Sequence, residues 1–374
     1  MRGRLALGGY FFLHGAVSSS WLSAMTMFIS RFASPDSLGA GIMVGLVVLL
    51  GVALAPLGMP LGAWLVGRWG ARRVAVASAV AAGLVLGGSA FVGSLGVLAL
   101  AMVGLALANG ALLVAMNLLA AGVERESGRL FLPWCHGLLA LGGLVGVLLA
   151  VQRISAHVPQ IEQLLWTAAV SVALAVGLAK SLPDGEIEDI RPRMPQHFAM
   201  LAVLAFAAGV AADVVPRSAS WRLEIAVGAI SLRGEHALAL GMAVGGLAGG
   251  LVAARIGVRN LLNASAGLTA LGLVWLLLVG DTAASLGGFL VTGLGLACVF
   301  PVALSLAAAR GSARHAIAAL SVIGYVGTLS GTQLTAWLSY LLDVRFQLAY
   351  VLVVPVVVVV AGTVLSRGSA PAPR

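Results

Sequence analysis

The sequence predicts an all-α integral membrane protein of twelve transmembrane helices arranged as two six-helix pseudo-repeats. Three observations lead there: the composition, the spacing of long apolar runs, and a nine-residue segment that recurs half a chain later. The 374 residues are 60% hydrophobic and 9% charged, whereas a soluble domain carries about 25% charge to cover its surface. Lipid is therefore the solvent for most of this surface. The 49 glycines suit helices that approach closely where no hydrophobic effect drives them together.

A bilayer core of ~30 Å needs ~20 apolar residues in a helix, because lipid cannot satisfy free backbone groups. Twelve such stretches run at about 6–30, 38–66, 74–93, 96–121, 131–154, 162–181, 196–215, 234–254, 260–279, 284–309, 316–340 and 346–366. The first is long enough to span, so it reads as helix 1 and not as a cleaved leader. The longest polar interruption, Ser181 to Gln196 (SLPDGEIEDIRPRMPQ), holds three prolines and four acids and cannot cross a membrane as helix. It divides the chain into an N-terminal bundle at 1–183, a linker at 184–193 and a C-terminal bundle at 194–374.

The basic residues orient these helices. With the N-terminus in the cytoplasm, sixteen of the 22 Lys and Arg residues fall in inner loops and six outside, so both termini are expected inside. The formal net charge of +9 is spread singly between apolar runs, with Lys180 the sole lysine. That leaves no basic face for nucleic acid. Cys135 and Cys298 sit far apart in or beside apolar segments and read as packing residues, with no metal site or cofactor motif predicted.

The internal repeat is Leu65 to Arg73, LVGRWGARR, which returns as Val252 to Asn260, VAARIGVRN, after the second helix of each half. Gly70 and Gly257 are 187 residues apart, half the chain. Each glycine permits a sharp turn, while Arg68, Arg72, Arg73, Arg255 and Arg259 sit at helix ends where carbonyl dipoles and lipid phosphates attract cations. A topology signal alone is the alternative for a single such loop, and the matched pair weighs against it. Two copies of a six-helix unit form the architecture of parallel-repeat transporters, whose substrate site lies near the midplane.

These loops resemble the signature of the major facilitator superfamily, G-x-x-x-D-R-x-G-R-R, with Arg68, Gly70 and Arg73 matching and Arg255, Gly257 and Arg259 matching in the second half. Gly67 and Ala254 stand where the family has Asp, so its charged latch is missing. The run Val114 to Gly146 further resembles the YbjJ-like branch through Ala115, Met116, Asn117, Val123, Glu124, Gly128, Arg129, Pro133, His136, Gly142 and Gly146. FFLHG at Phe11 to Gly15, Trp21, Asp213 and GYVGTLSG at Gly324 to Gly331 fit the same branch. The chain departs from it at Leu113, Ala24, Val214 and Val215, which points to a different cargo or an altered coupling mechanism. The resemblance implies alternating access about a cavity formed chiefly by helices 1, 4, 7 and 10, in a bacterial inner membrane.

Polar groups inside membrane segments are costly and are kept where they line a cavity or pair with one another. His14 reads as a titrating or cargo-binding residue or as a neutral ring bonded to a carbonyl. Asn117 reads as a cargo contact or as interhelical glue. Asp213 is a carboxylate for proton coupling unless it pairs with Arg217 four residues on. Tyr325, Gln333 and Trp21 offer hydrogen bonds and an aromatic wall, although Trp and Tyr more often pack or anchor at interfaces. Glu124, Arg129 and His136 join the repeated loops as candidates for a cytoplasmic gate or for an inner-surface cluster. The outer loop from Pro216 to Glu235 reads equally as a helical lid or as an extension of helix 7.

The expected partners are a small-molecule substrate, the lipid bilayer and protons. Low charge in the predicted cavity favours a neutral or amphipathic cargo, sugar-like or drug-like. The rival readings are an intramembrane enzyme and a transporter-fold receptor, assembly or lipid-handling protein. No HExxH, G-x-S-x-G or GxxxxGK[ST] motif supports the enzyme, and no soluble segment is long enough for an ATPase domain.

Overall fold

Lipid leaves a peptide backbone no partner but itself, and the chain answers with helices along almost its whole length. The computed structural model describes residues 1–32, 38–156, 158–184, 194–220, 224–227, 230–279, 282–310, 312–341 and 349–367. The helices are α1 (Arg2–Phe32), α2 (Leu38–Leu54), α3 (Gly58–Trp69), α4 (Ala71–Ser89), α5 (Leu95–Ser127), α6 (Leu132–Ser155), α7 (Gln160–Leu178), α8 (Phe198–Ser220), α9 (Gly234–Leu278), α10 (Thr282–Leu296), α11 (Val299–Arg310), α12 (Ala313–Leu341) and α13 (Val353–Arg367).

They account for the twelve predicted spans. A 3₁₀ turn at Ala55–Leu57 joins α2 to α3 within one span, where Pro56 removes a backbone donor and tightens the helix. A short break after Leu296 likewise separates α10 from α11 within one span. The 45-residue α9 holds two spans, divided at Gly257 with φ 81 and ψ 159. Among the described residues, nine helical stretches are long and apolar enough to cross a membrane. α1 is not one of them, because Ser18, Ser19, Ser20, Ser23 and His14 interrupt its apolar run.

The chain packs as two compact units, Met1–Ala120 with Leu141–Asp189, and Ala121–Ala140 with Ile190–Arg374. In the first, α1 crosses α6 closely: a Cβ on Gly142 would collide with the Phe12 carbonyl, and one on Gly146 would lie 3.1 Å from the Ala16 oxygen. In the second, α8 crosses α12 in the same way, with Gly327 against Phe206 and Gly331 3.1 Å from the Val210 oxygen. Each crossing advances by four residues on both partners, the spacing that stacks contacts along one helix face. The pseudo-repeat is thus present in the packing as well as in the loops.

The outer loop between α8 and α9 begins as the extension of helix 7 and then takes a form that neither reading anticipated. α8 continues through Pro216 to Ser220, and β1 (Glu224–Val227) then pairs antiparallel with β2 (Ile230–Arg233). The alternation at Ile225 and Val227 is the two-residue period of a strand. Trp221, Leu223 and all but the first residue of the linker at 184–193 lie outside the described residues.

Candidate functional site

In the first unit, α1 and α5 bring together two polar side chains inside the apolar bundle. The Asn109 side chain interacts with the His14 ring, yet His14 Nδ1 and Asn109 Oδ1 are both buried without a hydrogen-bond partner. Buried polar atoms are normally satisfied, so this pair stands out in the apolar interior. Asn117, two turns further along α5, is fully buried at 0% exposure. Trp21 is partly buried. It packs against the cluster of Phe28, Leu98, Met102 and Leu105, with its ring 5.7 Å from that of Phe28.

In the second unit, an open surface hollow of about 620 Å³ is lined by Phe206 of α8 and by Val326, Leu329, Ser330, Gln333, Leu334 and Trp337 of α12. Tyr325, Leu329, Gln333 and Trp337 recur every four residues, which aligns them along one side of α12. Gln333 thus presents an uncharged amide in an apolar hollow, beside an indole that is 73% exposed. Asp213 does not stand alone in this unit: its carboxylate accepts a hydrogen bond from Arg217 Nε at 3.0 Å. The ion-pair alternative for Asp213 is the arrangement found.

The gate candidates fall into two groups. Gly128, with φ +62, closes α5 by donating its N–H to the Glu124 carbonyl at 2.8 Å, and α6 begins four residues later. Glu124 Oε1 then accepts the Phe131 and Leu132 amides at 2.6 and 2.8 Å. These lie at the α6 N-terminus, whose amides lack helical partners and favour negative charge. Ser305 of α11 donates to the same oxygen at 3.0 Å. Arg125 Nη2 reaches the Ala308 carbonyl at 2.8 Å, and the His136 ring meets Phe300 edge-on at 5.8 Å. Arg129 is exposed.

The second group is the repeated turns. Gly70 has φ 83 and ψ 151, nearly the values of Gly257, and the region is open almost only to glycine. Arg68 lies over the Trp64 ring at 5.2 Å, whereas Arg255 and Arg259 are exposed. Asn109, Ser305 and Asp184, the partner of Arg72, were not among the residues the sequence singled out. The cost of a polar group in an apolar run would have flagged Asn109; the other two depend on contacts more than a hundred residues away. No cluster of His, Cys, Asp and Glu able to hold a metal occurs among the described residues.

This arrangement is the fold of the major facilitator superfamily, and comparison with known proteins agrees. The fucose:proton symporter of E. coli superposes with a TM-score of 0.75 at 12% identity, covering 97% of this chain and 98% of that one. The membrane protein MosC of Rhizobium meliloti is 25% identical over 370 residues, 97% of this chain and 90% of its own. An uncharacterised MFS-type transporter of Yersinia pestis is 25% identical over 341 residues, 86% of this chain and 85% of its own. No family model matches the chain. The structural likeness shows the fold, and the two relatives at 25% identity agree with it; the resemblance to the YbjJ-like branch rests on the sequence motifs alone.

Proposed function

We propose that the chain is a secondary transporter that carries a small neutral or amphipathic solute, sugar-like or drug-like, across the bacterial inner membrane by alternating access. The observation that carries the cargo class is the Gln333 amide set in an apolar hollow beside Trp337. A desolvated ionic cargo would need a matching charge, and Asp213 is already held by Arg217. The His14 and Asn109 pair offers a second uncharged polar contact. The sugar symporter with the same fold supports the sugar-like end of this range.

In this reading the halves 1–183 and 194–374 change places in exposing the cargo, with both termini cytoplasmic. Glu124 belongs in sequence to the first six helices and Ser305 to the second six. Their hydrogen bond, with the two amides that share the carboxylate, forms the inner gate. Each hydrogen bond to a charged group is worth about 1.5–3 kcal/mol, enough to hold a closed state and few enough to release. Coupling runs through Asp213 or His14, which exchange a proton as the Arg217 pair or the Asn109 contact opens.

A ligand that binds the folded form raises its thermal stability by mass action. Neutral sugars and amphipathic organic solutes should therefore include at least one that stabilises the purified protein, with the shift lost in Gln333→Ala and reduced in His14→Ala. A stabilising solute whose shift survives both substitutions unchanged would sink the cargo assignment.

A further inference from the structure

The turn at Gly70 carries more than a topology signal. α3 ends at Trp69, Gly70 reverses the backbone, and α4 starts at Ala71 with its first internal bond from Val74 N to Gly70 O. The amides before Val74 therefore have no helical acceptor and the helix end is electropositive. Arg72 ties this end to the C-terminal end of α7. Its Nε donates to the Ala179 carbonyl at 3.1 Å and its Nη1 pairs with Asp184.

The result is a cleft of about 700 Å³ in the first unit, with one basic wall and one apolar wall. Arg73 and Lys180 are exposed on the basic wall, and among the described residues neither has an ion-pair partner. Asp184, the one carboxylate among the described lining residues, is spent on Arg72. Trp69 and Val76 form the apolar wall. Trp69 is 51% and Trp64 54% exposed, at the end of a span long and apolar enough to cross the membrane, where indoles settle at the headgroup level.

The second-half turn is an internal control. Its backbone is the same, but Ile256 stands where the first half has Trp69, and Asn260 where it has Arg73. Asn260 Nδ2 donates to its own helix at the Ile256 carbonyl, 2.8 Å away. Backbone geometry alone therefore does not require the basic and aromatic walls of the first turn.

We propose that this cleft binds the headgroup of an anionic phospholipid. Arg73 and Lys180 contact the phosphate, Trp69 and Val76 cover the glycerol and the root of the acyl chains, and Arg72 acts as a positioning residue. A soluble phosphate would satisfy the cations but leave the apolar wall without a use, which favours the lipid. The proposal does not depend on the cargo.

Native mass spectrometry of the purified full chain, titrated with phosphatidylglycerol and separately with phosphatidylcholine, tests it. Phosphatidylglycerol should bind more tightly, and Arg73→Ala with Lys180→Ala should weaken it by about tenfold or more. Trp69→Ala should weaken it further. Thermal unfolding in lipid-free detergent establishes that the variants are folded, as expected for exposed side chains. Equal binding of the two lipids, or undiminished binding by the Arg73 and Lys180 double variant, would overturn the proposal. So would displacement of the lipid by glycerol phosphate at the same concentration, since that outcome assigns the cleft to a soluble phosphate.

Discussion

Gly70 and Gly257 hold almost the same backbone, φ 83 and ψ 151 against φ 81 and ψ 159, yet the side chains around them have diverged. Arg72 bridges to Asp184 and to the Ala179 carbonyl, while Arg259 is exposed. Gly70 is buried and Gly257 is exposed. The two turns teach that the repeat preserves what the chain path demands, a residue able to take a conformation closed to others, and leaves the surrounding chemistry free to specialise.

The equivalence of the halves should break first at the helix crossings. Gly142→Ala and Gly327→Ala both force a Cβ into a backbone carbonyl, and each should cost ~1–3 kcal/mol of stability or more by overpacking. Thermal unfolding in detergent would read both, and a large loss at one crossing with none at the other would show that the packing repeat is only formal. The turns come next. No atom lies within 4 Å of a Cβ built on Gly257, so an alanine there meets only backbone strain, ~1–3 kcal/mol, and the nearly identical φ at Gly70 imposes the same strain. Equal destabilisation is expected despite the difference in burial; unequal destabilisation would mean that the surroundings, not the conformation, require the glycine.

Glu124→Ala sharpens the contrast between the loops that follow. It strips two amides and Ser305 of their shared acceptor and should cost ~1–3 kcal/mol, whereas the start of α12 has Ser312, whose Oγ lies 2.9 Å from His315 Nδ1. Ser312→Ala should cost less, and the same unfolding experiment checks the order. The smallest effect belongs to the arginines: Arg72→Ala should lose up to ~1 kcal/mol and Arg259→Ala nothing measurable in lipid-free detergent.

The helices and the repeated turn were legible because each has a local cause. Lipid enforces long apolar runs, prolines and acids stop them, and a tight turn requires glycine. The α2–α3 and α10–α11 breaks were less visible, since a membrane span tolerates a bent helix without changing its composition. Legibility failed where function depends on distance in sequence. Glu124 was marked only as a gate residue, and nothing local announces that it caps α6 and meets Ser305, 181 residues away. Nor does any local signal place Ala121–Ala140 in the second compact unit. Asp213 carried its own answer in the i,i+4 spacing to Arg217, and Trp21 followed the commoner fate of a packed indole. The β1–β2 hairpin was hidden by the expectation of helix throughout, although the alternation at Ile225 and Val227 was present.

Transport is the central claim, and flux tests it more directly than binding. Purified protein reconstituted in liposomes, with a solute chosen by its thermal stabilisation, should move that solute across the bilayer. A proton gradient should drive accumulation in the wild type, Asp213→Asn or His14→Ala should uncouple it, and Gln333→Ala should slow it. Tight binding of the solute with no flux in either direction, with or without the gradient, would contradict the account and leave a solute-binding receptor on a transporter fold.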